Sequence, residues 1–192
     1  LLRETMATAF DPQAYWEERL THNFNLQGVG DIGLPESYNR FLYKVRSHVF
    51  RRSLRSTQLD VENAQVLDIG SGVGFYVREW INAGALSVHG CDITQVAVEK
   101  LASQFPSAQF SQIDIGDEDI PLASSSFDAI SRLDVLFHIT DDMRFHSAIQ
   151  NIADCLKPNG VFIYSDNLVE KRFRYKHQVG RTKTEIIATL EG

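Results

Sequence analysis

The chain has 192 residues, 43% of them hydrophobic and 23% charged, with a formal net charge of −6. That is one ordinary globular domain with enough chain to bury a core. The negative sum excludes bulk attraction to nucleic acid or an anionic membrane, and neither a transmembrane-length apolar run nor a signal-peptide pattern is visible.

The chain starts at Leu1 rather than at a methionine, which is read as a trimmed or internal N-terminus. Asp11 and Pro12 supply an N-cap and a first helical residue, so a helix is expected over residues 11–20. Residues 27–35 read as a glycine-rich loop. A longer helix is expected over residues 36–54, with Tyr38, Phe41, Leu42, Val45 and Val49 spaced as one core-facing stripe. Its Arg40, Lys44, Arg46, Arg51 and Arg52 read as a solvated basic face. Residues 1–58 form an N-terminal helical lid or acceptor segment ahead of a core over residues 59–192.

That core opens on an apolar strand, residues 66–69, which contains Asp68 and runs into Gly70-Ser71-Gly72-Val73-Gly74-Phe75. A helix follows from Phe75. Glycines at a strand-to-helix turn permit positive φ and let a ligand approach bare backbone. The dinucleotide fingerprint spaces its glycines as G-x-G-x-x-G. Here they fall at alternate positions, which speaks against a nicotinamide cofactor.

Further strands follow in order. Residues 87–93 end on Asp92 and Ile93, with Asp92 about twenty residues past the glycines, where a carboxylate can accept from ribose hydroxyls. Residues 108–115 end on Asp114 and Ile115. Residues 127–139, FDAISRLDVLFHI, contain Leu133 and His138. Lys157-Pro158-Asn159-Gly160 reads as a turn into a fifth strand, residues 161–165. Helices are expected between them over residues 94–105 and 141–156. Alternating strands and helices imply an α/β, Rossmann-like, doubly wound and mostly parallel sheet with helices on both faces. Cys91 and Cys155 read as reduced core thiols in a cytoplasmic protein, and no cysteine or histidine spacing suggests a metal.

The alternate-glycine loop after Asp68, together with FDAISRLDVLFHI and LKPNGVFIYSDN, resembles the core of the class I S-adenosylmethionine (SAM) methyltransferases over residues 66–165. The resemblance implies SAM as cofactor and S-adenosylhomocysteine as product. It implies that Asp68 orients the methionine end, that Asp92 meets the ribose, that Asp114 and Ile115 meet the adenine, and that Gly70, Ser71, Gly72, Gly74, Phe75, Ile93 and Leu133 complete the cofactor-binding set. Each acid also has a bland reading. Asp68 can bond the loop backbone, Asp92 can cap the next helix, and Asp114 can cap a turn. His138 follows the fourth strand and is the candidate acid/base contact. Tyr15, Trp16, Tyr38 and Tyr43 are either packing or a box for the sulfonium or the acceptor.

Methyl transfer is an in-line displacement that needs positioning in a dry chamber and no metal. The fourth strand lacks an Asn/Asp-Pro-Pro-Tyr motif, and the chain is acidic. Both features lead to an expected small-molecule acceptor, methylated on O, N or C, with no nucleic-acid and no membrane partner. Two other functions stay open: a SAM-binding domain without activity, and an NAD-type oxidoreductase.

The segment from Asn167 to Gly180 reads as an irregular mobile stretch near the cofactor mouth. Residues 182–190 read as the helix before a sixth strand, with Gly192 opening the turn. The sixth and seventh strands of the resembled sheet are then missing, and the fifth becomes an exposed edge through which two copies could pair.

Overall fold

The computed structural model describes residues 10–166 and 168–191. Leu1, Asn167 and Gly192, which entered the reading of the termini and of the segment after the fifth strand, lie outside them. In chain order the elements are α1 (Pro12–His22), α2 (Leu26–Val29), α3 (Glu36–Ser56), β1 (Gln65–Ile69), α4 (Phe75–Ala83), β2 (Ser87–Asp92) and α5 (Gln95–Gln104). There follow β3 (Gln109–Gln112), β4 (Phe127–Leu133), α6 (Asp142–Cys155), β5 (Leu156–Ser165), β6 (Phe173–Tyr175), β7 (Gln178–Gly180) and α7 (Lys183–Glu191).

One sheet runs β3-β2-β1-β4-β5, and every neighbouring pair in it is parallel. The strand order reverses between β1 and β4, which opens a crevice at their carboxyl ends. Strand alternation sends side chains to two cores. Leu67, Ile69, Ile130, Phe145, Ile149 and Ile152 pack on the α6 face. Phe50, Leu54, Val66, Val77, Trp80, Leu101 and Phe105 pack on the face covered by α3, α4 and α5. Among the described residues no helix is long and apolar enough to cross a membrane.

Local departures from the expected elements have physical causes. Residues 27–35 are not all loop: Asn25 accepts from the N–H groups of Gln27 and Gly28 and caps the one-turn α2. β4 stops at Leu133 because Asp134 takes φ +61°, and the 3₁₀ turn Leu136–His138 follows. The turn at residues 157–160 lies inside β5, as an irregularity between Phe127 and Ala129 of the ladder, with Asn159 at φ +63°. The stretch expected to be irregular forms the antiparallel β6–β7 hairpin instead.

The largest departure concerns α3. Four of the five residues of its expected core stripe are exposed, Tyr38 46%, Phe41 65%, Val45 44% and Val49 54% accessible, while Leu42 is half-buried at the edge of a cavity. The buried residues are Asn39, Tyr43, Phe50 and Leu54. Glu79, itself buried, fixes this orientation by accepting from Arg51 Nε (2.7 Å) and Ser47 Oγ (3.0 Å).

Candidate functional site

Gly70, Gly72 and Gly74 take φ values of +73°, +54° and +78°. Packing requires at least two of them. A Cβ on Gly70 would lie 2.5 Å from Val135 Cγ2, and one on Gly74 would lie 2.6 Å from Leu101 Cδ2. The loop's N–H groups are largely spent inside the protein. Those of Gly70 and Ser71 donate to the Cys91 carbonyl, that of Gly74 to the Ser71 carbonyl, and that of Gly72 to Asp92 Oδ2 (2.8 Å). Such a turn does not offer the open row of donors that holds a pyrophosphate.

The loop forms one side of a cavity of about 1030 Å³. Of the expected cofactor residues, Gly70, Ser71, Gly72, Phe75, Asp92, Ile93, Asp114, Ile115 and Leu133 line it. Asp68 and Gly74 do not. Gly74 turns back onto Leu101 and Phe105. Asp68 is buried below the loop, where its Oδ1 accepts from Ser131 Oγ (2.6 Å), which in turn accepts from Trp80 Nε1 (2.8 Å). Burial pushes the Asp68 pKa up to about 7, against the hydrogen bond from Ser131.

Asp92 is buried as well. Its Oδ1 accepts from the Thr94 N–H (2.9 Å) and Thr94 Oγ1 (2.7 Å), while its Oδ2 holds Gly72. Burial raises its pKa and these bonds oppose the rise. The next helix is capped elsewhere: Glu17 on α1 accepts from the N–H groups of Gln95 (2.8 Å) and Val96 (3.0 Å). Asp114 does take the turn-capping role, accepting from Gly116 N–H (2.9 Å), and it also pairs with Arg144 (2.6 Å).

The opposite side of the cavity comes from the N-terminal helices and from the chain after β4. Tyr15, Trp16, Tyr38 and Tyr43 all line it. Arg46 on α3 reaches across to Asp134 (2.6 Å), tying α3 to the end of β4. His138 faces the same space. Its Nδ1 lies 2.9 Å from the His177 carbonyl. A carbonyl only accepts, so Nδ1 carries the proton and Nε2 keeps its lone pair. Burial drops the His138 pKa to about 4, so the ring is neutral at physiological pH. The Trp16 ring lies edge-on to it at 4.9 Å, and the His177 ring stacks near it at 5.9 Å.

Sequence reasoning missed Glu17 and Arg132 as parts of this region, and it reached His177 only as one residue of the segment expected near the cofactor mouth. Glu17 looks like any surface acid on a polar helix, and His177 sits in a stretch without periodicity. Arg132 left a signal, a basic side chain in the buried second half of a strand whose other charge, Asp128, stands near its start. Among the described residues no group of three or more His, Cys, Asp or Glu side chains is placed to hold a metal ion.

A family model described as a methyltransferase domain matches residues 66–160. The chain belongs to the class I SAM methyltransferase family. Its fold matches a SAM-dependent methyltransferase from Leishmania major with a TM-score of 0.74, over 98% of this chain and 76% of that one, at 15% identity. In sequence it is 29% identical over 131 residues to a tRNA U34 carboxymethyltransferase of Methylococcus capsulatus, covering 65% of this chain and 39% of that protein. It is 30% identical over 130 residues to the Pseudomonas fluorescens protein of the same name, covering 65% and 38%. The chain therefore spans under half the length of these curated relatives.

Those names overturn one expectation. A small-molecule acceptor with no nucleic-acid partner does not agree with relatives named for a tRNA uridine. The physical reason is that net charge is a sum over the whole surface. The methyltransferase's α3 alone carries Arg40, Lys44, Arg46, Arg51, Arg52 and Arg55, and a local basic face can act inside a negative total.

Proposed function

We propose that this protein transfers a methyl group from SAM to a nucleobase in RNA, a uridine being the first candidate. The cofactor half of the reading is carried by one observation, the alternate-glycine turn whose Gly72 N–H is taken by Asp92 at the cavity edge. That arrangement places a carboxylate where a pyrophosphate would meet repulsion, and suits a ribose and a cationic sulfonium. The residues fit SAM in kind. Asp92 has lone pairs for ribose hydroxyls, Ile93, Ile115 and Leu133 give apolar walls for an adenine, and Asp114 gives an acceptor for its amino group. Asp68, out of contact with the cavity, bonds Ser131 on β4 through its carboxylate and holds the loop through its backbone carbonyl, which accepts from Ser71 Oγ (3.0 Å), rather than acting on the ligand.

When bound, SAM supplies an electrophilic methyl on a sulfonium. The chain's own residues orient, exclude water and move a proton. Tyr15, Trp16 and Tyr38 offer faces on which a base can stack. His138 Nε2 is available to accept the acceptor's proton, with the ring held by the His177 carbonyl. The acceptor half of the reading rests on the relatives' names, which also record a carboxymethyl group as the one transferred.

The test uses the full chain with methyl-labelled SAM and an unmodified tRNA pool, followed by nuclease digestion. The expected outcome is label on a uridine fragment, with micromolar S-adenosylhomocysteine binding (~10⁻⁶ M) by calorimetry. Label that appears in a metabolite extract and never in RNA would end the RNA reading. Preferential binding of NAD would end the cofactor reading.

A further inference from the structure

α3 buries one face and leaves a second apolar face in water. Tyr38, Phe41, Val45 and Val49 recur at steps of three, four and four residues, so they stand in one row along the helix. All four are exposed, Phe41 the most. At the helical rise the row runs for about 16 Å. Single exposed apolar residues are ordinary, but a continuous row with a polar rim marks a surface that another molecule covers.

The rim is basic. Lys44, His48 and Arg52 step by four beside the row, Arg55 continues them, and all are exposed. None of them belongs to the ion pairs of α3, which use Arg40, Arg46 and Arg51. The one acid of the helix, Glu36, is held by Arg40. The occupant therefore brings negative charge together with flat faces that can lie on aromatic rings.

A second copy of this chain does not meet that description. Pairing α3 with itself brings two sets of these cations together, with only Glu36 on each helix to offset them. An anionic bilayer supplies the charge, but it would lie across the cavity rim, because Tyr38 belongs both to the exposed row and to the cavity wall. A polymer that feeds one base into the cavity and lays its next bases along the row uses both surfaces at once.

We propose that the outer face of α3 is a track for single-stranded RNA. Nucleotides flanking the target base stack on Tyr38 and Phe41, their sugars lie on Val45 and Val49, and Lys44, Arg52 and Arg55 hold their phosphates. The inference rests on RNA being the acceptor. Charge alone does not tell a duplex from a single strand, whereas the aromatic row does. Bases of a duplex are stacked on one another, while every unpaired base offers a face to an aromatic ring.

The experiment follows, by fluorescence anisotropy, the binding of a labelled oligouridine, alone and paired with oligoadenine, to the full chain. Wild type, Phe41→Leu and Phe41→Trp are compared. Phe41 does not line the cavity, and leucine keeps apolar bulk while removing the ring. Wild type is expected to bind the single strand more tightly than the duplex. Phe41→Leu should lose about fivefold or more on the single strand and nothing on the duplex, and Phe41→Trp should keep the wild-type affinity or exceed it. Ultraviolet crosslinking of bound oligouridine, read by peptide mass spectrometry, should mark residues 36–56. Single-strand affinity unchanged in Phe41→Leu, or no crosslink on that helix, overturns the proposal. Phosphatidylserine vesicles that displace oligouridine would assign the face to a membrane, and a dimer that Phe41→Ser dissolves and oligouridine does not would assign it to a second copy. Either result also overturns the track. These assays need neither SAM nor turnover. Methyl label that never enters RNA, beside Phe41-dependent binding of oligouridine, would count against the proposed transfer alone.

Discussion

Asp68 is a carboxyl held where its charge is unwelcome. Its folded pKa, about 7, lies above the ordinary carboxylate value. Between pH 4 and 7 the folded state therefore binds a proton that the unfolded chain has released. Stability from this group is full at low pH, falls as pH rises through that window, and levels off above it. Asp68→Asn keeps an oxygen for Ser131 and cannot ionise. In urea unfolding from pH 5 to 8, the wild type is expected to lose stability relative to Asp68→Asn, with the difference flat above pH 7. A difference that stays constant over the whole range would mean that Asp68 is ionised throughout. This residue also marks the limit of reading a motif. The sequence located the acid before the glycines, but whether it faces a ligand or hides beneath the loop depends on Ser131 and Trp80, which are 63 and 12 positions away (131 − 68, 80 − 68).

At the level of elements, α1 is held by Arg19 on the Gly28 and Gly30 carbonyls, by the buried Leu20, and by Glu17 at the start of α5. Glu17 satisfies two N–H groups at the start of α5, next to Asp92, where the helix dipole favours a negative charge. A cap of this kind contributes about 1 kcal/mol. Glu17→Ala is expected to raise amide exchange across residues 12–22 and to weaken S-adenosylhomocysteine binding several-fold, since Tyr15 and Trp16 leave with the helix. Unchanged exchange in α1 would show that other contacts hold it. The orientation of α3 makes a second prediction. Phe50 is buried against Trp80, with ring centroids 5.0 Å apart, so Phe50→Ala should cost about 3–5 kcal/mol. Phe41 is exposed, so Phe41→Ser should stay within about 0.5 kcal/mol. Chemical denaturation of both variants checks the pair, and the reverse order would place the other stripe in the core. The helix itself was legible because apolar spacing at 3.6 residues is a local signal. Its buried face was not legible, because α3 carries two such stripes. The choice between them is made by Glu79, Tyr76 and Trp80 on another helix. The parallel core from β1 to β5 was legible for the opposite reason. β1, β2 and β4 are largely buried strands with an acid at or just past their ends, and the apolar run of residues 161–164 marks β5, while β3 was legible only from its place in the strand–helix alternation.

For the whole molecule the open quantity is how an acidic protein would meet an acidic polymer. The net charge of −6 repels RNA at long range, so association should be slow at low salt unless a local basic face outweighs it. α3 supplies that face. Three of its cations are already paired, Arg40 with Glu36, Arg46 with Asp134 and Arg51 with Glu79, while Lys44, Arg52 and Arg55 are exposed. The same helix lends Tyr38, Tyr43 and Arg46 to the cavity, so phosphates along α3 would lead a strand toward the site. Each phosphate contact removes about 0.9 from the slope of log affinity against log salt for duplex, and about 0.7 for single strands. Replacing Lys44, Arg52 and Arg55 together with glutamate is therefore expected to weaken tRNA binding at least tenfold and to flatten its salt dependence by about two. S-adenosylhomocysteine affinity should not change, because none of the three lines the cavity. Filter binding between 50 and 200 mM salt, a range wide enough to resolve that slope, measures the first two quantities and calorimetry the third. A tRNA affinity that ignores these substitutions would remove α3 from the path of the acceptor and leave the aromatic rim of Tyr15 and Trp16 as its only contact with the fold.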